Sequence, residues 1–469
     1  MRRYSVEFTA AISVLSMLAA GCATVGPNYT RPATEAPGAF RGNAPEAAAA
    51  AASVAEQAWS TLYVDEPLRE LITTTLAQNY DLRIAASRIL QAQAQAGITR
   101  SNQFPTVDAQ AIGQGQRTSV GNSEGEARTV GVIQLGATAS WEPDFWGKYR
   151  RANESARAQI LASEWGRRAV TSALISQVAA GYFALRAADL DLEIANRALE
   201  TRRESLRLTQ VRESGGATSL VDVRQAEQLV YGATARIADL QRQIEQQENY
   251  LSVLAGRLPG SIARGRALTE QPHAPELPTG LPSALLERRP DIQQAEQELI
   301  SANAEIGVAR ANYFPRIALT GSGGVVSAAL SALFSGPAAA WSAAASVTQP
   351  IFNAGRTRSQ VALAEARREE ATLVYQQTIQ RAFREVADAL VGYHRTRELR
   401  AIEEQLVASS RDARRLADIR YRGGAASYLE VLDSDTRLFL AENELVQSQL
   451  EELAAFVEIY RALGGGWQP

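Results

Sequence analysis

The chain has 469 residues, enough for about three domains of ordinary size. With 46% hydrophobic and 21% charged residues it has the composition of a folded protein, and a net charge of −3 provides no basic field that would attract nucleic acid. One cysteine and two histidines exclude an intrachain disulfide and argue against a Cys/His metal site, so we expect neither a metal ion nor a bound cofactor in the fold.

The first 21 residues are predicted to be a secretory signal peptide, because a basic start precedes the mostly apolar run Phe8–Ala20, which is too short to span a bilayer. The run ends near Cys22, and Leu18–Cys22 resembles the lipobox of bacterial lipoproteins. Ala19 stands where lipoboxes usually have leucine, and ordinary cleavage with an incidental Cys22 is the alternative. We expect a covalent N-acyl and diacylglycerol lipid on Cys22, at the start of an extended segment over 22–66.

Most of the remaining chain is predicted to consist of two repeats, 67–256 and 281–466, joined by a linker or equatorial region at 257–280. Asp81–Pro105 and Asp291–Pro315 share identical residues at a constant separation of 210 positions. A repeat of this length indicates a duplicated structural unit.

Each repeat is predicted to contain a helix, two strands, a long helix, a tip and a final helix. The strand segments alternate apolar and polar residues over about ten positions, which is typical of outer-membrane strands, although a soluble hairpin with one buried face has the same pattern. Each long helix is predicted from 67 residues that lack proline and are rich in helix formers. In the first repeat the elements are a helix over 67–103, strands at about 106–120 and 130–142, and helices over 148–214 and 221–255; in the second they are a helix before Pro315, strands at about 316–326 and 340–349, and helices over 356–422 and 428–463.

Four prolines mark the predicted changes between helix and strand. Proline ends a helix at or before the residue that precedes it, and it also disfavours helical backbone at that preceding residue. The predicted hinges are Pro105, Pro143, Pro315 and Pro350.

The mature sequence contains no run of about 18 apolar residues, the minimum for a transmembrane helix. A chain that crosses a membrane without such a helix must do so as a closed β-barrel. Four strands cannot close a barrel, and an open strand edge is not tolerated in lipid. We therefore expect several copies of the chain to combine their strands.

A glycine pair followed by a serine and an acid occurs once in each repeat, after the long helix. Glycine readily adopts the left-handed conformation that ends a helix, and a serine with an acid three residues later matches the capping box that begins the next helix. Each motif therefore predicts a helix–turn–helix tip. The motifs are Gly215-Gly216 with Ser219 and Asp222, and Gly423-Gly424 with Ser427 and Glu430.

The order and doubling of these motifs resemble the outer membrane factors, the TolC-like efflux ducts, and in particular their NodT-type lipoprotein branch. This resemblance implies an α+β membrane protein with an internal two-fold repeat. Four strands per protomer would form a trimeric twelve-stranded β-barrel, continued by a long periplasmic α-helical barrel. It also implies a lipid-anchored homotrimer in the outer membrane of a Gram-negative bacterium. The residues that carry the resemblance are Cys22–Pro32, the Phe-Pro pairs at 104–105 and 314–315, Pro350–Phe352 with Gly355, and Tyr421–Gly424 with Tyr428, Leu429, Leu432 and Asp433.

By motif match, the periplasmic gate of that family falls at the second tip. The resemblance implies that Leu429 and Asp433 form constricting rings and that Arg420 and Tyr421 hold neighbouring coils together, with Asp222 as a polar partner. The spacing of four residues places Leu429 and Asp433 on one helix face. The alternative is that an acid near the start of a helix simply suits the helix dipole.

The sequence contains no catalytic constellation, so we expect a passive duct and not an enzyme. The resemblance implies the outer-membrane channel of a tripartite efflux system. It would receive drugs or other small molecules from an inner-membrane pump of the RND type and a periplasmic membrane-fusion adaptor. The adaptor would dock at the tips, which contain Gly215, Gly216, Gly423 and Gly424. A type I protein-secretion duct shares this architecture, and a structural lipoprotein without a pore is a further alternative.

Overall fold

The computed structural model describes residues 24–33, 37, 38, 40, 53–118, 128–272 and 282–468. The chain divides into two compact units, each of which draws on both repeats. The sheet-bearing unit comprises Met1–Ala33, Arg88–Ser163 and Gln294–Tyr375. The helical unit comprises Thr34–Ser87, Glu164–Gln293 and Gln376–Pro469.

Within the described residues the chain forms nine α-helices, four strands and four single turns of 3-10 helix. The segment 22–66, predicted to be extended, contains a short helix, α1 (Trp59–Leu62), so that prediction is wrong there. The first repeat follows with α2 (Glu66–Gln78), α3 (Tyr80–Ser101), β1 (Thr106–Thr118), β2 (Arg128–Trp141), α4 (Lys148–Ser214) and α5 (Leu220–Leu254). The second contains α6 (Pro282–Arg288), α7 (Pro290–Ala311), β3 (Arg316–Ser327), β4 (Ala339–Thr348), α8 (Arg356–Arg422) and α9 (Tyr428–Ala462). The 3-10 turns are Val54–Glu56, Leu268–Glu270, Leu330–Ala332 and Gly336–Ala338.

The four strands form one antiparallel sheet in chain order. Ala137 of β2 lies opposite Ala109 of β1 and Gly323 of β3, and Leu319 lies opposite Ala345 of β4. Because paired residues project from the same face, small and apolar residues collect on one face of the sheet. The other face carries polar residues, among them Thr138, Ser322 and Ser342.

The long helices α4 and α8 have 67 residues each, and α5 and α9 have 35 each. At 1.5 Å per residue, each long helix extends about 100 Å. In the helical unit, Ile175 and Tyr182 of α4 are buried in one core with Ile72 of α2 and Leu251 of α5. None of the helices in the described ranges has an apolar segment long enough to cross a membrane.

The single helix predicted over 67–103 is wrong, because the chain breaks it at Asn79. This residue has extended backbone, with φ −58° and ψ 133°. Its Nδ2 donates to the carbonyl of Leu254 at 2.9 Å, and its Oδ1 accepts from the backbone N–H of Asp81 at 2.8 Å. An asparagine side chain that serves as a cap competes with helical hydrogen bonding, so one helix ends and another begins here. The second repeat is interrupted at the corresponding place, where α6 ends and Pro290 begins α7.

Candidate functional site

The first tip contains the capping box that the sequence predicts. The chain leaves α4 through Gly216, whose φ of +73° favours glycine. Asp222 Oδ2 accepts from the backbone N–H of Ser219 at 3.0 Å, and Ser219 Oγ accepts from the N–H of Asp222 at 3.4 Å. The Thr218 hydroxyl also donates to Asp222, and this hydrogen bond holds the pKa of the Asp222 carboxyl below its usual value. Asp222 thus stabilises the start of its own helix.

The second tip has the same turn but a different start to its helix. Gly424 has φ +75°, whereas the side chain of Ser427 makes no capping hydrogen bond. Glu430 instead forms an ion pair with Arg420 at 3.4 Å. The predicted second capping box is therefore wrong, since its acid is turned toward the end of α8. In each pair the second glycine, Gly216 or Gly424, has the left-handed conformation that ends the helix, and Gly215 and Gly423 do not have it.

The two residues predicted to constrict a pore lie on the exposed face of α9. The side chain of Leu429 is 58% exposed. Asp433, one helical turn further, is exposed and accepts from Arg437 Nε at 2.8 Å. This exposed face is available for contact with another chain or with a pore, and the constricting role stays a prediction.

Tyr421 is buried inside the chain, with only 4% of its surface exposed. Its ring packs against Tyr428 at 5.5 Å, and the guanidinium of Arg212 lies over it at 4.6 Å. Arg212 Nη1 also donates to the Tyr421 carbonyl at 2.9 Å. Burial raises the pKa of the Tyr428 phenol. These contacts join the second tip to α4 of the same chain, and the expected role of Tyr421 between neighbouring coils stays a prediction.

Sequence reasoning missed a buried charge cluster centred on Asp435, two residues beyond Asp433. Asp435 Oδ2 accepts from Arg202 Nε at 2.8 Å, and its Oδ1 accepts from Arg414 Nε at 3.2 Å. Arg202 also donates to the Leu229 carbonyl at 3.3 Å. The cluster therefore joins α4, α5, α8 and α9. A signal was present, because Asp435 follows the apolar residue Val431 by one helical turn and shares its buried face.

An open cleft of about 470 Å³ lies beside this cluster, between α4 and the helical hairpin that α8 and α9 form. Its walls alternate arginines with acids: Arg411 lies 2.9 Å from Glu442, and Arg422 lies 2.8 Å from Asp418. A cleft with paired charges of both signs suits a polar protein surface better than an apolar ligand.

The four predicted hinge prolines all lie where the structure changes between helix and strand. At the first-repeat hinge after β2, Trp146 stacks on Phe314 at 4.9 Å and its indole N–H donates to the Pro315 carbonyl at 2.7 Å. This hinge is therefore packed against the second repeat of the same chain.

The N-terminal strap, residues 24–33, makes hydrogen bonds with buried side chains of the sheet-bearing unit. Arg151, which is 5% exposed, donates to Asn28 Oδ1 at 2.8 Å. The carboxylate of Glu296, also 5% exposed, accepts from the Tyr29 hydroxyl at 3.0 Å and from Arg31 Nε at 2.7 Å. The strap thus satisfies buried charged groups from both repeats.

Cys22, the predicted lipidation site, lies outside the described residues, as does the part of the 257–280 segment beyond residue 272. Among the residues that the structure does describe, no group of His, Cys, Asp or Glu side chains could hold a metal ion.

Comparison with known proteins agrees with this architecture over nearly the whole chain. The model of the outer membrane efflux protein family matches residues 71–257 and 281–465. The cation efflux system protein CusC of Escherichia coli O6:H1 is 34% identical over 449 residues, which cover 96% of this chain and 96% of CusC. The probable efflux pump outer membrane protein TtgC of Pseudomonas putida is 37% identical over 465 residues, which cover 97% of this chain and 95% of TtgC.

The crystal structure of the open state of the Neisseria gonorrhoeae MtrE outer membrane channel has the same fold. Its TM-score is 0.85 at 32% identity, with 95% of this chain and 99% of that chain covered. The four-stranded sheet and the two long helical hairpins described above are therefore those of a TolC-like outer membrane channel. The chain belongs to the outer membrane efflux protein family.

Proposed function

We propose that this protein is the outer-membrane channel of a tripartite efflux system and passes drugs or other small molecules out of the cell. The observation that carries the proposal is the full-length match to efflux channels, which includes both hairpins and all four strands. Relatives are named for cation efflux and for efflux pumps, so small solutes are the cargo class favoured here. The channel itself is passive, and an inner-membrane pump, for which we propose the RND type, supplies the energy.

Three copies form the channel in this proposal. The described part of one chain contributes four strands, and there the two outer strands each pair with a neighbour on one side only. Unpaired backbone groups at these edges are costly in lipid, which favours a closed sheet of twelve strands built from three chains.

The tips are the proposed periplasmic entrance and the docking place of a membrane-fusion adaptor. The arginine and acid side chains of the neighbouring cleft support docking of a polar partner. Leu429 and Asp433, exposed on one face of α9, are the proposed constriction. Three Asp433 carboxylates around one axis would favour cations over anions.

Cys22 is the proposed lipid anchor, carrying acyl chains that hold the mature N-terminus at the membrane. The strap begins two residues later at Thr24, whose side chain lies against Gly147 at the β2–α4 hinge. This position supports an anchor held close to the ends of the strands.

Two experiments test the proposal. Deleting the gene should raise sensitivity to drugs or solvents while leaving the profile of exported proteins unchanged; the reverse result would favour a protein-secretion duct. Purified protein should form ion-conducting channels in planar bilayers, and a lipoprotein that conducts nothing would be a structural component instead.

The gate is tested in the same bilayers with a matched pair of variants. Asp433→Ala should weaken cation selectivity. Gln225→Ala, 208 residues earlier at the corresponding position of the first repeat, should change it little. Unchanged selectivity in Asp433→Ala would remove this residue from the constriction.

A further inference from the structure

The two outer strands of the sheet restrict the register in which a further strand can pair with them. β1 and β4 each have one free edge in the sheet that the described residues form. A strand added to either edge must keep small and apolar residues on one face and polar residues on the other, because a slip of one residue moves every side chain to the opposite face. Only some registers satisfy this condition.

The two β-hairpins of the sheet, β1–β2 and β3–β4, pair their strands in the same register. Ala109 lies opposite Ala137 in the first hairpin, and Leu319 lies opposite Ala345 in the second. Leu319 is 210 residues after Ala109, and Ala345 is 208 residues after Ala137. A separation of 210 relates β1 to β3, and a separation of 208 relates β2 to β4. Both separations are even, so each strand keeps its apolar face.

The contact between the hairpins inside one chain supplies a template for a contact between chains. Ala139 of β2 lies opposite Gly321 of β3. The residue 208 positions after Ala139 is Val347, in β4, and the residue 210 positions before Gly321 is Ala111, in β1. If hairpins follow one another around a closed sheet, the same contact recurs wherever β4 of one chain meets β1 of the next.

We propose that β4 of one copy pairs antiparallel with β1 of a second copy, with Val347 opposite Ala111. This proposal rests on the channel proposed above and specifies how its chains join. The register continues through Ser346 opposite Ile112 to Trp341 opposite Arg117. It places the apolar face of β4, which includes Val347, Ala345 and Ala343, beside the small residues of β1 on the same face.

The hinges carry an independent observation for the same contact. Inside the chain, the hinge after β2 is partly covered: Trp146 stacks on Phe314, which remains 39% exposed, and Phe145 is half-buried. The corresponding hinge after β4 is open: Phe352, 207 residues after Phe145, is 90% exposed. Phe104, 210 residues before Phe314, is 55% exposed. A second copy in the proposed register brings these uncovered surfaces, from β4 of one chain and β1 of the other, to one place.

Cysteine cross-linking in the full-length, membrane-inserted protein tests the register. Narrow and wide pairs alternate in an antiparallel ladder, so two successive pairs are made: Val347→Cys with Ala111→Cys, and Ser346→Cys with Ile112→Cys. Under mild oxidation, at least one pair should convert most of the monomer band on a denaturing gel into covalent dimer and trimer. Reductant should reverse this conversion.

Three matched controls make the result specific. Each variant with only one introduced cysteine should give no covalent dimer or trimer, because the contact joins different residues of the two chains. Val347→Cys with Ile112→Cys places the thiols on opposite faces and should stay monomeric. Val347→Cys with Ala109→Cys keeps the face but is displaced by two residues, and it should cross-link least efficiently of the same-face pairs.

The outcomes separate the register from the channel. Efficient cross-linking through Val347 and Ala111, or through the next pair, supports the proposal. A conducting trimer that cross-links only through the displaced pair with Ala109 overturns the register and leaves the channel intact. A conducting trimer that cross-links through none of these pairs overturns the β4–β1 contact. A protein that is monomeric and conducts nothing overturns both.

Discussion

Replacing Asp435 by asparagine should loosen the tip region strongly, although this residue lies outside the proposed constriction. The asparagine side chain would keep the size of the original but remove the negative charge between Arg202 and Arg414. The two arginine side chains are only 7% and 13% exposed, so water can compensate little for the lost charge. The Asp435→Asn variant therefore leaves the buried Arg202 and the partly buried Arg414 without the carboxylate that lies between them.

The size of the loss in stability depends on the ion pairs and hydrogen bonds that each arginine retains. Removing one member of a buried ion pair typically costs about 3–5 kcal/mol. Arg414 keeps Asp418 at 3.6 Å, and Arg202 keeps the Leu229 carbonyl at 3.3 Å, which favours the lower end of that range. A loss of about 3 kcal/mol corresponds to about a hundredfold increase in the population of locally open states.

Hydrogen exchange measured by mass spectrometry on the detergent-solubilised protein reports this opening locally. Peptides from α9 near Asp435 and from α4 near Arg202 should exchange about a hundredfold faster in Asp435→Asn. Asp433→Ala is the matched control, because its ion pair with Arg437 is exposed to water and should contribute little to stability. Replacing the cluster by Arg202→Met, Arg414→Met and Asp435→Leu together should restore most of the protection. Equal exchange in the Asp435 and Asp433 variants would refute the reasoning.

Three further predictions concern the N-terminus and the first tip. Cys22→Ser should abolish acylation, which mass spectrometry of the mature N-terminus would detect; an unmodified wild-type N-terminus elsewhere would contradict the anchor. Gly216→Ala should destabilise the first tip by about 1 kcal/mol, because alanine is strained at φ +73°, whereas Gly215→Ala should have little effect on exchange there. The pKa of Asp222 is lowered by folding, so its stabilisation of the tip is present above the unfolded pKa and should be lost as the pH falls below about 4. Asp222→Asn should remove that pH dependence, and a tip equally protected at pH 7 and pH 3 would argue against this role.

The features that could be predicted from the sequence are those that depend on patterns of neighbouring residues. The proline-free stretches gave α4 and α8 with the expected ends, and the alternating segments gave four strands within two residues of the observed bounds. Asn79 was missed because one side chain breaks an otherwise helical pattern through a contact with Leu254, far along the chain. At Asp435, the helical spacing from Val431 indicates a buried face, but the charge cluster was missed because its partners Arg202 and Arg414 lie elsewhere in the sequence. The Arg31–Glu296 contact joins residues 265 apart and has no local signal.

The contacts of the strap affect the order in which parts of the chain can fold. The strap residues are synthesised before Glu296, Asn303 and Gly307, which they contact and which lie in α7 of the second repeat. Contacts of such long sequence separation form late, since the intervening chain must first be brought together. Arg151 of the first repeat donates hydrogen bonds to Gly26 and Asn28 of the strap, whereas Asn303 of α7 donates to Pro27 between them. A chain interrupted before α7 lacks the second-repeat contacts of the strap, and we expect its strap to be more accessible to proteases than that of the complete chain.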